Sequence, residues 1–428
     1  YASRYLFTFT VRRDGSSVFG ANTSKWGTFP SVAVGWNIAN ENFMKGINWL
    51  DNLKLRLSYG KSGNEAISVY ETISKYNASS IAMNGTTLTG VYPSTMLGNG
   101  NLTWETTKSA NAGLDWGVFK DRITGSFDLY KSRTSGLLLQ RDLPKITGYQ
   151  SVYENIGKTQ NYGLEVTINS RNIVTNDFTW ETGIVFSTNK NKIVDLYGDK
   201  KDDIGNKWFI GKDIQSVYDY KMLGIWQQSE ISAGANKGVD NNAVAGDIKF
   251  KAVNGDGVIT SADKQVLGHT DPKWTGGLTN KFLYKNWALS VFIQTAQGMM
   301  KNNTDIMTYD ETWRINTPRE ISYWTATNGN NKYPRLTYTN TYGYGYTRKA
   351  GYTRLKDVTL SYTFNPNQLS KIGLGSLTIY ATGSNLYTWT PWVGWDPEAS
   401  FSSRGSGSWT DNYPPTKTIV LGINITLK

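Results

Sequence analysis

Hydrophobic and polar residues alternate one by one along several long segments of the chain. In residues 53–59, leucine and tyrosine occupy the odd positions, and Lys54, Arg56 and Ser58 lie between them. The same alternation runs through residues 357–364 and 418–427. Because successive side chains of a β-strand point to opposite faces, this pattern predicts strands with one apolar and one polar face. No long segment shows the spacing of an amphipathic helix.

The alternation predicts an all-β chain with twelve strands. Many of them are longer than the roughly 5–6 residues usual in globular sheets. A membrane-spanning strand needs about 9–11 residues, so strand length favours a transmembrane antiparallel β-barrel over a soluble sandwich. The predicted strands cover residues 3–13, 27–39, 51–62, 103–117, 121–133, 155–170, 177–189, 273–284, 286–297, 350–364, 375–386 and 416–428.

The connections between these strands alternate between short and long. Outer-membrane barrels show this asymmetry, with short periplasmic turns and long extracellular loops. Counted back from the last strand, the short connections 118–121, 171–176 and 284–286 all fall on the periplasmic side. The count requires that the strand-like segment Val217–Gln227 belongs to a loop and not to the barrel wall. The predicted extracellular loops are 63–102, 134–154, 190–272, 298–349 and 387–415.

Large aromatic residues lie beside the predicted short turns. An amphipathic ring is stable at the interface between membrane and water, where barrels carry an aromatic girdle. Ordinary strand aromatics in a soluble core are the alternative, but these residues cluster at turns and not in the middle of strands. The residues predicted to form the girdle are Trp49, Trp116, Phe119, Trp180, Tyr284 and Trp287.

Composition excludes several functional classes. The 428 residues contain no Cys and one His, which excludes a disulfide scaffold, a Cys-ligated metal and a His-rich metal site. Lys and Arg number 45 against 34 Asp and Glu, a net charge of +11. The basic residues are scattered, so we expect no nucleic-acid partner. That the positive charge of the external loops meets phosphates of the outer leaflet is a hypothesis at this stage.

No catalytic constellation is visible in the sequence. The single His269 lies in a polar loop, and the G-x-S-x-G turn that would accompany a catalytic serine is absent. A G-x-x-x-x-G-K-[ST] phosphate loop is also absent, and no carboxylate spacing singles out an acid–base pair. We therefore expect a protein that is not an enzyme and requires no cofactor.

One glycine-rich turn resembles the twelve-residue calcium loop. That loop supplies oxygen ligands from positions 1, 3, 5, 7, 9 and 12, with Gly at position 6. When Gly257 is placed at position 6, Ala252 falls at position 1 and offers no side-chain ligand. A turn that needs positive φ explains the same residues without a metal. The ligands expected for a weak calcium site are Asn254, Asp256, the carbonyl of Val258, Thr260 and Asp263.

The long loops are rich in aromatic residues. Aromatic faces stack on sugar rings and on peptide side chains, and they also pack large loops or a protein partner. The sequence leaves these alternatives open. The candidate substrate-binding or partner-binding residues are Trp313, Tyr323, Trp324, Tyr344, Trp389, Trp392, Trp395 and Trp409.

An ordered series of short motifs runs through nearly the whole chain. In this order, the motifs resemble those of the C-terminal half of a SusC/RagA-type TonB-dependent outer-membrane transporter. One motif alone would be a weak signal, whereas the ordered set is specific. The motifs lie at Arg12–Ser17, Trp26–Ser31, Leu53–Arg56, Ser58–Gly60, Gly63–Asn64, Asn155–Gly157, Gly163–Glu165, Asn254–Gly257, Pro272–Gly277, Asn385–Leu386 and Asp396–Glu398.

The resemblance implies the fold of a large outer-membrane transporter. Such proteins form a barrel of about 22 strands with a plug domain in the lumen. About 12 C-terminal strands of that barrel would be in residues 1–428. The plug, the remaining strands, the TonB-contacting segment and the signal peptide are expected outside this sequence. The protein would be an integral, multi-pass component of the outer membrane of a Gram-negative bacterium.

The resemblance also implies a function. It predicts TonB-dependent active import of oligosaccharides or peptides, with a SusD-like surface lipoprotein as a lid and a dimer of two barrel–lid pairs. A passive porin and a glycan-binding or adhesive outer-membrane β protein are the alternatives. The chain departs from the family at Ala252, where Asp is usual. It also ends in Thr426-Leu427-Lys428 where an aromatic residue is usual, so we expect one further residue.

Overall fold

The computed structural model describes residues 1–19, 22–303, 306, 321–365, 369, 373–394, 396–398 and 414–427. Two compact units divide the chain. The first comprises Tyr1–Ile214 with Leu278–Phe282, and the second comprises Gln215–Gly277 with Leu283–Lys428. Among the described residues, no helix has the length and apolar character needed to cross a membrane.

A sheet of twelve strands in chain order dominates the structure. All twelve predicted strands are confirmed, and their ends differ from the prediction by six residues or fewer. The strands are β1 (Tyr5–Gly15), β2 (Trp26–Asn37), β3 (Leu50–Asn64), β4 (Glu105–Val118), β5 (Ile123–Ser135), β6 (Lys158–Val174), β7 (Phe178–Asp195), β8 (Trp274–Tyr284), β9 (Trp287–Gln297), β10 (Tyr352–Thr363), β11 (Leu374–Trp389) and β12 (Thr418–Leu427).

In the first unit, strand register separates an apolar face from a polar face. Directly paired residues of neighbouring strands share a face. One row of such partners is mostly apolar and crosses from β1 to β6 through Phe7, Val34, Leu57, Ala112, Leu129 and Leu164. The adjacent row, on the opposite face, carries charges and crosses from β3 to β6 through Arg56, Gly113, Asp128 and Glu165. The alternation seen in the sequence therefore aligns across the strands.

The second unit shows the same separation in strands β9 to β12. Leu289, Leu360, Ala381 and Leu421 are partners on one face, while Ser290, Thr359 and Thr382 are partners on the other. Leu421 keeps 79% of its surface exposed. An exposed apolar face of this extent indicates contact with a membrane or with another protein.

Aromatic rings cluster at the short-connection end of the strands. Ring centroids lie 6.2 Å apart for Trp49 and Phe119, and 5.8 Å apart for Trp180 and Phe282. In the second unit, Trp287 and Tyr362 are 4.8 Å apart. Trp49, Phe119, Trp180 and Trp287 of the predicted girdle thus lie at this end of the strands, and their place at a membrane interface stays a prediction.

The connections contain further small elements. The segment 217–227 contributes to two short antiparallel pairs within the connection between β7 and β8 and not to the large sheet, as predicted. The paired strands are Tyr76–Met83 with Thr86–Pro93, Leu138–Asp142 with Ser151–Asn155 and Met96–Leu97, Ser216–Asp219 with Gln265–His269, Met222–Ile225 with Ile248–Phe250, and Met300–Lys301 with Arg348–Lys349. The helices whose residues the structure describes in full include Gln228–Ser232 and the 3-10 turns Ile38–Asn40, Asn42–Met44, Lys145–Thr147 and Ser261–Asp263.

Candidate functional site

The long connections of the second unit pack around a buried cluster that we call the loop core. Its residues come from the connection between β7 and β8 and from the connection between β9 and β10. Aromatic rings form its centre, with the ring of Phe250 5.0 Å from that of Tyr344 and 5.6 Å from that of Tyr342. The buried members are Tyr220, Ile225, Ile248, Phe250, Ile259, Ile306, Tyr338, Tyr344 and Tyr346.

Buried polar side chains hold these connections together. The carboxylate of Asp219 accepts hydrogen bonds from the amide of Gly345 at 2.9 Å and from the hydroxyl of Thr347 at 3.0 Å. Asn303 is fully buried and donates to the carbonyl of Val393. Because a buried polar group is costly unless it is paired, these bonds fix the loops to one another. The long connections therefore form a packed structure of their own.

Several phenols in the loop core or packed against it have raised pKa values. Burial, reinforced by the nearby carboxylate of Asp240, raises the pKa of Tyr342 to about 12. Burial also raises the pKa values of Tyr344 and Tyr220. These rings therefore remain neutral at physiological pH and act as packing groups and hydrogen-bond donors.

A buried ion-pair cluster fixes the connection that follows β11. Arg354 of β10 is completely buried, and its guanidinium lies 2.7 Å from Asp396 and 2.6 Å from Glu398. Both carboxylate oxygens of Asp396 accept from the same Arg354 nitrogen, at 2.9 and 2.7 Å. Tyr352 donates its hydroxyl to Glu398. The motif Asp396–Glu398 is thereby folded back onto the face of β10 that carries Tyr352 and Arg354.

Lys301 joins this cluster from the connection between β9 and β10. Its ammonium donates to the carbonyl of Pro397 at 2.7 Å. Burial lowers the pKa of Lys301, while the nearby carboxylates of Glu398 and Asp396 act in the opposite direction. Two long connections therefore meet at the segment 396–398.

The predicted aromatic binding residues occupy different environments. Tyr344 is only 1% exposed and accepts a hydrogen bond from Arg348, so it packs the loop core and presents no face to a ligand. Trp324 is half-buried against the loop core, with its indole N–H donated to Gln227 at 3.0 Å. Tyr323 is half-buried as well. The predicted residues Trp313, Trp395 and Trp409 lie outside the described part of the chain.

Trp392 lies on the opposite side of the sheet from Trp389. It is half-buried and packs against the small cluster that contains Met299 and Tyr352. Trp389 instead pairs with Thr353, which pairs with Thr295, and these residues share the apolar face with Leu289. Trp389 is 51% exposed there. Trp389 therefore lies on the apolar face, and its predicted role in ligand binding stays a prediction.

Trp389 fits an upper aromatic girdle. Its ring lies 4.8 Å from that of Tyr387, which pairs with Leu355 on the same face. The upper pair Tyr387–Trp389 lies beside Thr353 of β10, and the lower pair contains Tyr362 of the same strand. The distance from Thr353 to Tyr362 along β10 is roughly 25–30 Å. With a tilt of about 40°, this corresponds to an apolar band roughly 20–23 Å tall, close to that of outer-membrane barrels.

The glycine-rich turn is held by its own hydrogen bonds. Asp263 is fully buried, and its two oxygens accept from the amides of Val253 at 2.7 Å and Thr260 at 2.8 Å. Asp256 accepts from the amide of Val258 and from the side chain of Asn254. Gly257 has a φ of +80°, which suits glycine. These contacts fit a hydrogen-bonded turn, and the calcium site stays a prediction.

Other oxygen donors near this turn in sequence are also engaged. Asp247 pairs with Arg335 at 2.8 Å. Within the described ranges, no group of three or more His, Asp or Glu side chains is arranged to hold a metal ion.

The polar face of the first unit carries its own ion-pair network. The guanidinium of Arg56 donates two hydrogen bonds to Asp115, both 2.8 Å, and a third to Asp128 at 2.9 Å. These three charged groups are therefore paired with each other across strands β3, β4 and β5. Sequence alternation predicted Arg56 and Asp128 on this face, but not their pairing.

Sequence reasoning missed Arg354 and Asp219. Strict alternation from Tyr362, Leu360 and Val358 would place Arg354 on the apolar face. The register between β9 and β10 shifts at Lys356, which is an extra residue, and this bulge turns Arg354 to the other face. One feature of the sequence could have revealed this bulge. An arginine that faces lipid is costly, so an arginine at an apparently apolar position of a membrane strand indicates a bulge.

Comparison with known proteins identifies similar chains. The family described as "TonB dependent receptor-like, beta-barrel" matches residues 1–386. TonB-dependent receptor P3 of Formosa agariphila is 36% identical, over 99% of this chain and 44% of that protein. TonB-dependent receptor SusC of Bacteroides thetaiotaomicron is 32% identical, over 99% of this chain and 42% of that protein.

A solved structure of the RagAB peptide transporter is similar in fold. The match has a TM-score of 0.80 at 25% identity, and it covers 99% of this chain and 46% of that one. The chain thus spans less than half the length of the curated and solved relatives described here.

Proposed function

Because the chain belongs to the TonB-dependent receptor β-barrel family, we propose that it forms part of an outer-membrane importer that TonB drives. The observation that carries this proposal is the twelve-stranded sheet, with an apolar face exposed on one side and paired charges on the other. A membrane wall around a polar lumen needs this separation, because charges are costly in lipid. The sheet would form the wall, and energy coupling would belong to parts of the protein outside this chain.

We place the long connections on the extracellular side. Their packed loop core and the ion-pair cluster give the entrance a defined structure, which capture of a substrate requires. On this basis the short connections and the lower girdle face the periplasm. The family is one of transporters, and we assign no catalytic role to the chain.

The substrate class we propose is an oligosaccharide or a peptide. The similarity to SusC and to the RagAB peptide transporter supports this choice. We propose that Tyr323 and Trp392, which are half-buried in the loops, contribute aromatic faces to substrate contact. The same similarity supports a SusD-like lipoprotein lid, TonB as the periplasmic partner and a dimer of two barrel–lid pairs. Calcium at Asn254–Asp263 would rigidify a loop and take no part in transport.

An uptake experiment tests the proposed function. Cells lacking the full-length gene are complemented with the wild type, and initial uptake of labelled oligosaccharide and peptide pools is measured with and without a protonophore. The proposal predicts that one pool is taken up only when the gene is present and the membrane is energised. Co-purification of the full-length protein should recover a surface lipoprotein.

Matched variants separate substrate contact from membrane anchoring. The double variant Y323A/W392A should raise the substrate concentration for half-maximal uptake by roughly 5- to 150-fold, since aromatic contacts contribute about 0.5–1.5 kcal/mol each. The control W389A lies on the apolar face and should leave that concentration unchanged. Uptake that persists with the protonophore would indicate a passive porin, and surface binding without uptake would indicate an adhesive protein.

A further inference from the structure

Basic residues that are scattered in the sequence come together on the apolar face of the first unit. Strand register aligns Lys61, Lys108, Arg133, Gln160 and Lys192 in one row across β3 to β7. The adjacent row on the same face contains Tyr59, Ala110, Lys131, Tyr162 and Lys190. We call the six cations Lys61, Lys108, Lys131, Arg133, Lys190 and Lys192 the basic belt.

The basic belt has no counter-charge on its own face. Neither row contains Asp or Glu, whereas the opposite face of the same strands carries Asp115, Asp128 and Glu165. In the part of the chain that the structure describes, none of the six cations forms an ion pair. All but the half-buried Lys61 are exposed. The belt spans four inter-strand steps, about 19 Å.

The belt lies at the long-connection end of the strands. From Val118, the last residue of β4, to Lys108 is about 33 Å along the strand, or roughly 25 Å in height at a tilt of about 40°. The row of Lys61 thus falls where the apolar band of a barrel ends and the headgroups begin. Below the two rows the face carries no charge at Val34, Leu57, Ala112 and Leu129.

An apolar groove runs from the belt into this face. Its volume is about 520 Å³, and it follows β4, where Ala110 and Ala112 leave space between larger residues on the neighbouring strands. The lining includes Val32, Val34, Leu57, Tyr59, Leu129 and, at the belt end, Lys131. Small residues flanked by large ones leave an open apolar depression on this face. The basic belt and the apolar groove therefore lie next to each other on the same face of the sheet.

We propose that this surface binds a phosphorylated, acylated lipid of the outer leaflet. The phosphates of its headgroup would lie on the basic belt, and one acyl chain would lie in the groove along β4. A soluble phosphate has no acyl chain to fill the groove, and a zwitterionic lipid has no net negative charge to pair with the basic belt. A lipid with several phosphates matches both the charge of the belt and the apolar groove. The inference depends on insertion of the sheet in a membrane and not on the substrate imported.

The test measures lipid binding by the full-length protein in detergent, using native mass spectrometry. The probes are lipid A with its phosphates, the same lipid with the phosphates removed, and inorganic phosphate. The variant K108Q/R133Q/K192Q should bind phosphorylated lipid A roughly 150-fold more weakly, since each cation near a membrane surface contributes about a fivefold gain in affinity. The control K145Q/K201Q/K237Q removes three exposed loop lysines and the same charge, and should bind normally.

A second variant pair tests the groove. A112F fills it and should weaken binding of the phosphorylated lipid, whereas A381F fills a separate apolar groove lined by Leu360 and Leu421 and should not. The proposal is overturned if the belt variant binds like the wild type, or if the loop-lysine control loses as much affinity. Equal binding of the dephosphorylated lipid, or tighter binding of inorganic phosphate than of the lipid, would also overturn it.

Discussion

The buried guanidinium of Arg354 depends on the oxygens that surround it. A cation without access to water is stable only when its charge and its N–H groups are matched. Asp396 and Glu398 supply the charge, and the hydroxyl of Thr388 accepts from the Nε–H of Arg354 at 3.0 Å. Since both carboxylates belong to the connection after β11, one side chain on a strand determines where that connection lies.

Removal of this cation should release the segment 396–398. We expect R354M to lower the free energy of local opening there by about 3–5 kcal/mol, because two carboxylates lose their buried partner. Hydrogen exchange of the full-length protein measures this through the amide of Glu398, which donates to Asp396. R335M removes a more exposed ion pair and should cost at most about 1 kcal/mol. Equal protection in R354M and wild type would contradict this account of the segment.

Asp240 introduces a pH dependence into the loop core. Burial raises the pKa of its carboxyl, the hydrogen bond from Tyr342 opposes this, and Asp247 adds to it. The folded loop thus holds the proton more tightly than the unfolded chain. Its stability should therefore fall as pH rises from the ordinary value of about 3.9 through the raised pKa, and the penalty persists at neutral pH.

The variant D240N should abolish this fall. Amide protection around residues 236–247, corrected for intrinsic exchange, should then change little with pH and should exceed that of the wild type at pH 7. D199N, which neutralises an exposed carboxylate elsewhere, serves as the control and should retain the wild-type pH profile. A D240N profile identical to that of the wild type would rule out this carboxyl as the cause.

At the scale of elements, the strands were predictable and their irregularities were not. Alternation located all twelve strands because one face must be apolar along its whole length. It failed at Lys356, since a bulge changes which face the following residues occupy without any change in composition. In the structure the bulge residue Lys356 donates to Asn385, itself at a φ of +54°. Pairing partners such as Arg56 and Asp115 also depend on register, which the sequence of a single strand does not contain.

The two faces of a strand should respond differently to charge. Val358 lies midway between the upper and lower aromatic pairs on the apolar face, while Thr359 faces the other way. We expect V358R to lower the free energy of unfolding from vesicles by about 2–4 kcal/mol, as for arginine near the bilayer centre. T359R should cost clearly less. Equal costs would show that the two faces do not have different surroundings.

The glycine-rich turn allows its structural and metal-binding roles to be separated. D263A leaves the amides of Val253 and Thr260 without a partner and should destabilise the turn by about 1–3 kcal/mol, with or without calcium. D256N alters an exposed carboxylate and should weaken only the proposed calcium binding, measured by calorimetric titration of the full-length protein. If the heat of calcium binding is the same in D256N and the wild type, or is absent from both, this turn is not a calcium site.

At the scale of the whole molecule, composition located aromatic residues in the loops but not their roles. Tyr344 lies in the loop core, Trp389 lies on the apolar face, and Tyr323 and Trp392 are half-buried in the loops. A sequence cannot separate these roles, because packing, membrane anchoring and ligand contact all use the same ring. The sequence motif Asp396–Glu398 was recognisable, but its structural role became apparent only with its distant ion-pair partner Arg354.

The measurement that tests the central claim most directly is a cysteine scan of β10 in the outer membrane. The 428 residues contain no Cys, so a single fluorophore can be placed at each position from 354 to 361 and exposed to quencher-bearing lipids. We predict quenching at 355, 358 and 360 and none at 354, 357, 359 and 361, with the phase changing at the bulge residue Lys356. Uniform absence of quenching, or quenching with the opposite phase, would contradict a membrane wall with its polar face toward the lumen.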